Sequence, residues 1–267
     1  MPNFDTYDII SVVGIPIYVV FLSCAIYLSI KHGFKNSSGW RYLIILALAR
    51  IISFGLRLGL MNDPTNTDLW IGWSTVTSLG LGPLVLLLLG LLSRVFESIN
   101  RQGQVILKPT YQRLIQLLVV VAIIVTVVGG TKSSFHLEEG SIKVDYSTLS
   151  RVGVGLMIVV VLLLCVETLI AFRNQGYVAQ GEHRILLGVI ASLPFVIIRV
   201  VYSCLTVFAG ISSNVWTYLC MGILTEMIVV FMVEVLGFTL DKAPVAPKSD
   251  DPELLATEGG QQHYNRH

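Results

Sequence analysis

Seven apolar stretches, each about twenty residues long or longer, follow one another along the 267-residue chain with short connections between them. An α-helix needs about 20 apolar residues to cross the hydrocarbon core of a bilayer. The composition agrees, since 54% of the residues are apolar and 13% are charged. The sequence therefore predicts an all-α polytopic membrane protein, a bundle of seven transmembrane helices in one domain over residues 1–240. The predicted helices cover approximately residues 8–30, 40–60, 69–92, 112–130, 152–172, 184–209 and 216–240.

Basic residues are distributed unequally between the two sides of the predicted membrane. Of the lysines and arginines outside the spans, twelve fall on one side and three on the other. Short cytosolic loops carry the excess of Lys and Arg in membrane proteins. We therefore expect the N-terminus outside and the C-terminus in the cytosol. Residues 241–267 are rich in Pro, Gly and charged residues, a composition that predicts a disordered cytosolic tail.

Ionisable side chains interrupt several of the apolar stretches. An ionisable group at the bilayer centre costs roughly 2.5–3.5 kcal/mol on insertion scales, so each must be paired, hydrated or used in function. Glu167 and Glu234 fall in the inner thirds of their helices, nearest to the basic residues Arg41, Arg94, Arg173 and Arg184. The complete set is three arginines and three glutamates, namely Arg50, Arg57, Arg199, Glu167, Glu226 and Glu234.

Arg199 and Glu226 are expected to lie at the same depth. The last two spans are joined by a tight turn centred on residues 212–213, and the two residues lie about equally far from it. At about 1.5 Å rise per residue, they reach the same level of two adjacent antiparallel helices. We predict a buried structural ion pair between them. Tyr202, one turn above Arg199, could donate a hydrogen bond to the same carboxylate.

The second span contains Arg50 and Arg57, which lie seven residues apart and therefore on one face of a helix. Arg57 is closer to the outer surface and is expected to extend outward to Asp63 or Asp68. Arg50 lies near mid-depth, so it should face the bundle interior, towards Glu226 or a ligand.

The connection between residues 131 and 150 is the longest on the outer side. Apolar residues alternate on both sides of Glu138-Glu139-Gly140-Ser141, which predicts a short hairpin over the outer mouth. In the third span, Gly80, Gly82 and Pro83 predict a kink.

Several functional classes are excluded by the residues they would need. The last helix has no lysine for a retinal Schiff base, and all five histidines lie in predicted loops or the tail. Intramembrane zinc and haem sites use histidine ligands. No Walker-type loop or acid-rich diphosphate motif is present. We therefore predict no metal, no cofactor and no nucleic-acid partner.

Short runs containing polar residues, glycine or proline recur in a fixed order along the chain. They are Ala49–Ile52, Asn62–Thr67, Gly80–Leu84, Gly90–Arg94, Leu193–Phe195, Arg199–Ser203 and Glu226–Val230. In these runs the chain resembles a family of uncharacterised fungal seven-helix membrane proteins, a domain of unknown function. The resemblance covers nearly all of residues 8–240. It implies a fungal source and a membrane location, and it implies no activity.

Two interpretations of the mid-membrane charges stay open, a network that fixes helix register and a polar site. In the second interpretation, the polar site would bind, sense or move a lipid-like, small hydrophobic or anionic ligand. The protein would lie in the plasma membrane or an endomembrane, with membrane lipids as its other partners. The lining of the site would be Arg50, Arg199, Tyr202 and Glu226.

The alternative function is a membrane-embedded enzyme, by analogy with the small multi-helix terpene cyclases of fungal metabolite pathways. A buried carboxylic acid would protonate the substrate, and Glu167 or Glu226 could supply it. Pairing with Arg199 argues against Glu226 in this role. Glu167 has no basic residue at matching depth on the next helix and is the better candidate.

Overall fold

The computed structural model describes residues 5–32, 39–101, 109–138, 141–178, 182–209 and 214–240. Within these ranges, seven helical spans are long and apolar enough to cross a membrane. The predicted all-α seven-helix bundle is confirmed, and the chain is an integral membrane protein. The tail at residues 241–267 lies outside the described residues.

The spans follow one another with two departures from uninterrupted helix. The third span breaks at Gly80 into two helices, as its glycines and proline predict. Pro83 lies in the first turn of the second piece, where its missing N–H removes no helical hydrogen bond. The helices are α1 (Thr6–His32), α2 (Trp40–Gly59), α3 (Thr67–Leu79), α4 (Leu81–Arg101), α5 (Pro109–Thr131), α6 (Thr148–Arg173), α7 (His183–Phe208) and α8 (Val215–Thr239).

The second departure lies inside α8. Residues Tyr218–Leu224 form a π-helix between a single turn at Val215–Thr217 and regular α-helix at Thr225–Thr239. In a π-helix each N–H bonds to the carbonyl five residues back, so the turn is wider and the residues after it are rotated. Glu226 is the second residue after this segment.

The predicted hairpin connects α5 to α6. Strand β1 (Ser134–Glu138) pairs antiparallel with β2 (Ser141–Asp145), with Phe135 opposite Val144 in the register. Ser147 caps the start of α6, its hydroxyl accepting from the backbone N–H of Ser150 at 3.2 Å. The hairpin therefore leads straight into the next span.

Helix α4 lies at the centre of the bundle. It packs against α2, α5, α6 and α7, whereas the other helices form a closed ring in the order α1, α2, α3, α5, α6, α7, α8. In the most apolar part of the third span 83% of the residues are buried, against 17% in the span formed by α5. The leucines of α4 fill the core, and the mid-membrane charges lie beside its N-terminal end.

Candidate functional site

The Glu226 carboxylate is held by two side chains from other helices. Arg50 on α2 donates from Nε to Oε1 at 2.5 Å and from Nη2 to Oε2. Tyr18 on α1 donates its hydroxyl to Oε1 at 3.1 Å. The Arg50 and Glu226 side chains are 1% and 0% exposed. Two parallel contacts between a guanidinium and a carboxylate fix both distance and orientation, so this is a bidentate ion pair sealed from solvent.

Arg199 on α7 reaches the same carboxylate from further away. Its Nε lies 3.9 Å from Glu226 Oε2, which is an ion-pair contact beyond hydrogen-bond distance. Its Nη2 donates to the backbone carbonyl of Thr77 at 3.0 Å. The close partner of Glu226 is therefore Arg50, and the ion pair predicted with Arg199 is the looser of the two.

Tyr202 occupies a different place from the one expected. Its ring lies against Arg199, with 5.1 Å between the guanidinium carbon and the ring centroid, a distance typical of a cation–π contact. The hydroxyl that donates to Glu226 belongs to Tyr18 instead. Tyr202 thus contacts the site through its ring and through Arg199.

The site contains more positive than negative charge. Two buried guanidinium groups share one carboxylate. Arg50 Nη1 and Arg199 Nε have no hydrogen-bond acceptor among the described residues. The same holds for the hydroxyl of Tyr218, a buried residue close enough to both arginines to interact electrostatically. Hydrogen-bond donors that could meet an anion are therefore available in the centre of the bundle.

Two backbone features of the bundle let these side chains converge. Gly80, at the break between α3 and α4, leaves no side chain in the way, and a Cβ there would lie 2.7 Å from Glu226 Oε2 and 2.8 Å from Arg50 Nη2. The π-helix of α8 sets the rotation of Glu226 relative to Tyr218. The sequence indicates the break through its glycines, and nothing in the residue pattern indicates the π-helix.

A second arginine cluster lies at the end of the bundle where α1 begins and α2 ends. Arg57 Nη2 lies 3.1 Å from Asp5 Oδ2, and its Nε lies 3.1 Å from Asp8 Oδ1. Three aromatic rings surround the guanidinium at 5.0–5.4 Å, those of Tyr7, Trp70 and Trp73.

The acids that meet Arg57 differ from the two expected, Asp63 and Asp68. Helix α1 packs along the whole of α2 in the opposite direction, which brings its first turn to the level of Arg57. Asp63 instead accepts a hydrogen bond from Thr65 at 2.9 Å. The partners of Arg57 come from the start of the chain because the α1–α2 contact determines which acids are near.

Glu167 and Glu234 lie apart from the mid-membrane charges. Each is 4% exposed, and each has one carboxylate oxygen without a donor in the part of the chain that the structure describes. Arg94, one of the basic residues expected near them, pairs with Glu182 at 3.3 Å. No contact among the described residues joins Glu167 to the Arg50–Glu226 pair.

Comparison with known proteins places the whole bundle in one family. A family model described as a domain of unknown function, DUF7702, matches residues 4–243. The match contains all seven spans and both arginine clusters. No curated protein sequence matches the chain. The chain therefore belongs to the DUF7702 family.

Proposed function

We propose that this integral membrane protein binds, senses or moves a lipid-like or small anionic ligand at a mid-membrane site formed by Arg50, Arg199, Tyr202 and Glu226. The observation that carries the proposal is the excess of one positive charge among fully buried side chains. Two of their N–H groups, together with the Tyr218 hydroxyl, have no acceptor among the described residues.

The physical argument concerns the cost of an unbalanced buried charge. A charge without a partner in a low-dielectric interior is strongly unfavourable, and ionisable groups within membrane spans are retained mainly where they function. A carboxylate or phosphate would neutralise the excess charge and accept from both Arg50 Nη1 and Arg199 Nε. The aromatic rings of Tyr202 and Tyr218 would contact an apolar part of the same molecule.

The sequence adds three further parts to this proposal. The resemblance in the ordered motifs supports a fungal source. The distribution of Lys and Arg supports a cytosolic C-terminus. The location is then the plasma membrane or an endomembrane, which the site itself does not distinguish.

A second candidate function is that of a membrane-embedded enzyme with Glu167 as its acid, in the manner of a terpene cyclase. It is favoured by one observation, the buried Glu167 oxygen that has no donor among the described residues. Glu226 suits this role poorly, because Arg50 and Tyr18 already donate to its carboxylate and leave it without access to a substrate. A metabolite that accumulates in cells carrying Glu167→Gln, but not in cells carrying Arg199→Met, would favour the enzyme.

The test of the binding proposal uses Arg199→Met. This variant removes the excess charge and leaves the Arg50–Glu226 pair intact, so its stability should stay within about 1 kcal/mol of wild type. Arg57→Met is the matched control, since it removes a buried arginine from the other cluster. Each protein is purified in mild detergent, and copurifying organic anions are identified by mass spectrometry.

We expect wild type and Arg57→Met to carry an anion that Arg199→Met lacks. As a second readout, oleate should raise the melting temperature of wild type while oleyl alcohol, which has the same chain without the charge, should not. The proposal is overturned if Arg199→Met carries every anion that wild type carries, or if wild type carries none. Unfolding of both Arg199→Met and Arg199→Lys would show instead that the charges only stabilise the fold.

A further inference from the structure

An apolar groove lies on the outer surface of the bundle between α7 and α8. It has a volume of about 460 Å³ and is open along one side. Pockets for small ligands measure about 300–1,000 Å³, so the groove is large enough for part of a lipid. It lies at the end of the bundle where α7 begins and α8 ends, which the basic residues predict to be cytosolic.

The walls of the groove combine small and large apolar side chains. The small side chain of Ala191 on α7 leaves space, whereas Leu236 on α8 packs against Gly188. Phe231 and Val235 on α8 form the facing wall. Phe231 and Val235 are 59% and 45% exposed, so they face the hydrocarbon of the membrane in which the spans lie. Arg184 and Ala191 are separated by about 10 Å along α7, at about 1.5 Å per residue. That length accommodates the upper part of an acyl chain.

One basic residue stands at the mouth of the groove. Arg184 lines the mouth and is exposed. The acidic residue nearest to it in the sequence, Glu182, is already paired with Arg94 at 3.3 Å. Lys31 lies at the same end, where it donates to the carbonyl of Phe238 at 3.0 Å. An apolar groove with an arginine at its mouth matches a lipid with an anionic headgroup.

We propose that this groove binds an anionic phospholipid, with one acyl chain between α7 and α8 and the headgroup phosphate on Arg184. All membrane lipids offer similar acyl chains, so the groove by itself does not discriminate between them. Selectivity comes from the charge at Arg184. One basic residue near the membrane surface corresponds to about a five-fold preference for an anionic over a neutral headgroup. This surface site is separate from the mid-membrane site and does not depend on it.

The test measures lipid preference on the full-length protein. The wild-type protein is reconstituted into nanodiscs that contain equal amounts of phosphatidylglycerol and phosphatidylcholine. It is then released from the nanodiscs and analysed by native mass spectrometry. We expect phosphatidylglycerol to be retained about five-fold over phosphatidylcholine, and Arg184→Gln to abolish the preference. Arg173→Gln is the matched control, because it removes an exposed charge at the end of α6, at the same end of the bundle and outside the groove.

A second pair of variants tests the groove itself. Ala191→Trp fills it from the α7 side and should displace the retained lipid, whereas Leu162→Trp, at an exposed position on α6, should not. Val235→Trp fills it from the opposite wall and replaces Ala191→Trp if that variant fails to fold. The proposal is overturned if Arg173→Gln lowers the preference as much as Arg184→Gln, or if a folded groove-filling variant retains the lipid. Arg199→Met should leave this lipid bound, which separates the result from the mid-membrane proposal.

Discussion

The two arginine clusters lie on the same face of α2 and have opposite charge balances. Around Arg57, one guanidinium faces two carboxylates, those of Asp5 and Asp8. Around Glu226, two guanidiniums face one carboxylate. The first cluster is connected to solvent through Asp5, whose side chain is 55% exposed, whereas Arg50, Arg199 and Glu226 are at most 1% exposed.

This difference in charge balance is the basis for proposing ligand binding at one cluster and a structural role for the other. The Arg57 guanidinium pairs with two acids, one of them largely exposed, and lies against three aromatic rings, so a contribution to stability is enough to explain it. A buried cluster with an excess charge is less stable than a balanced pair would be. The proposed ligand would balance this excess charge, and each of the following experiments tests one side of the contrast.

The largest effect is expected from Glu226→Gln. This variant leaves Arg50 and Arg199 without a carboxylate in the centre of the bundle and should cost about 3–5 kcal/mol. Asp8→Asn, in the other cluster, should cost at most about 2 kcal/mol because Asp5 remains to pair with Arg57. Denaturant unfolding in detergent micelles measures both. Equal losses would remove the contrast between the clusters.

Gly80→Ala should destabilise the protein by about 1–3 kcal/mol, because the new Cβ would displace the Arg50–Glu226 pair. Gly55→Ala is the matched control, since a Cβ at Gly55 on α2 meets nothing within 4 Å. That variant should gain about 0.5–1 kcal/mol from helix propensity. Melting temperatures of the two variants should move in opposite directions, and a neutral Gly80→Ala would contradict the observed packing.

Tyr18→Phe removes the hydroxyl that donates to Glu226 and should cost about 1.5 kcal/mol. Tyr202→Phe keeps the ring that contacts Arg199, so its effect should be within about 0.5 kcal/mol. Thermal unfolding of the two variants side by side shows which tyrosine donates to the carboxylate. A larger loss for Tyr202→Phe would reverse the assignment.

The smallest effect is expected from Asp5→Asn. Asp5 is largely exposed, and an exposed ion pair contributes less than about 1 kcal/mol and is screened by salt. The loss should therefore be measurable in low salt and disappear in high salt. Asp63→Asn serves as the control, because Asp63 does not meet Arg57, and it should show no such salt dependence.

The sequence predicts the depth of the charged residues along the bundle better than it predicts how each helix is rotated about its own axis. Counting residues from the last turn brings Glu226 to the level of Arg199, and the position of Arg50 near the middle of the second span gives it about the same depth. The choice between Arg50 and Arg199 depends on how α8 is rotated about its axis, and the π-helix at Tyr218–Leu224 changes that rotation. Because the count assumed regular α-helix, it could give the level of Glu226 and not its closest partner.

The first helix is the part of the site that sequence analysis missed. Tyr18 lies in the middle of α1, and Asp5 and Asp8 precede or begin that helix. Their roles depend on α1 packing antiparallel along α2, a contact between whole helices that no single residue pattern encodes. The available signal was the position of these polar residues, because Tyr18 is near mid-span and the two acids are near the level of Arg57.

The central position of α4 has a consequence for how this protein assembles in the membrane. Membrane helices are inserted roughly in chain order, so α4 enters the bilayer before α5, α6 and α7, which enclose it in the folded bundle. When the later helices pack around α4, its leucines exchange contacts with lipid, and not with water, for contacts with protein. The hydrophobic effect therefore contributes little to this packing step. Close packing and the polar contacts around Glu226 must therefore supply the free energy that draws the later helices around α4.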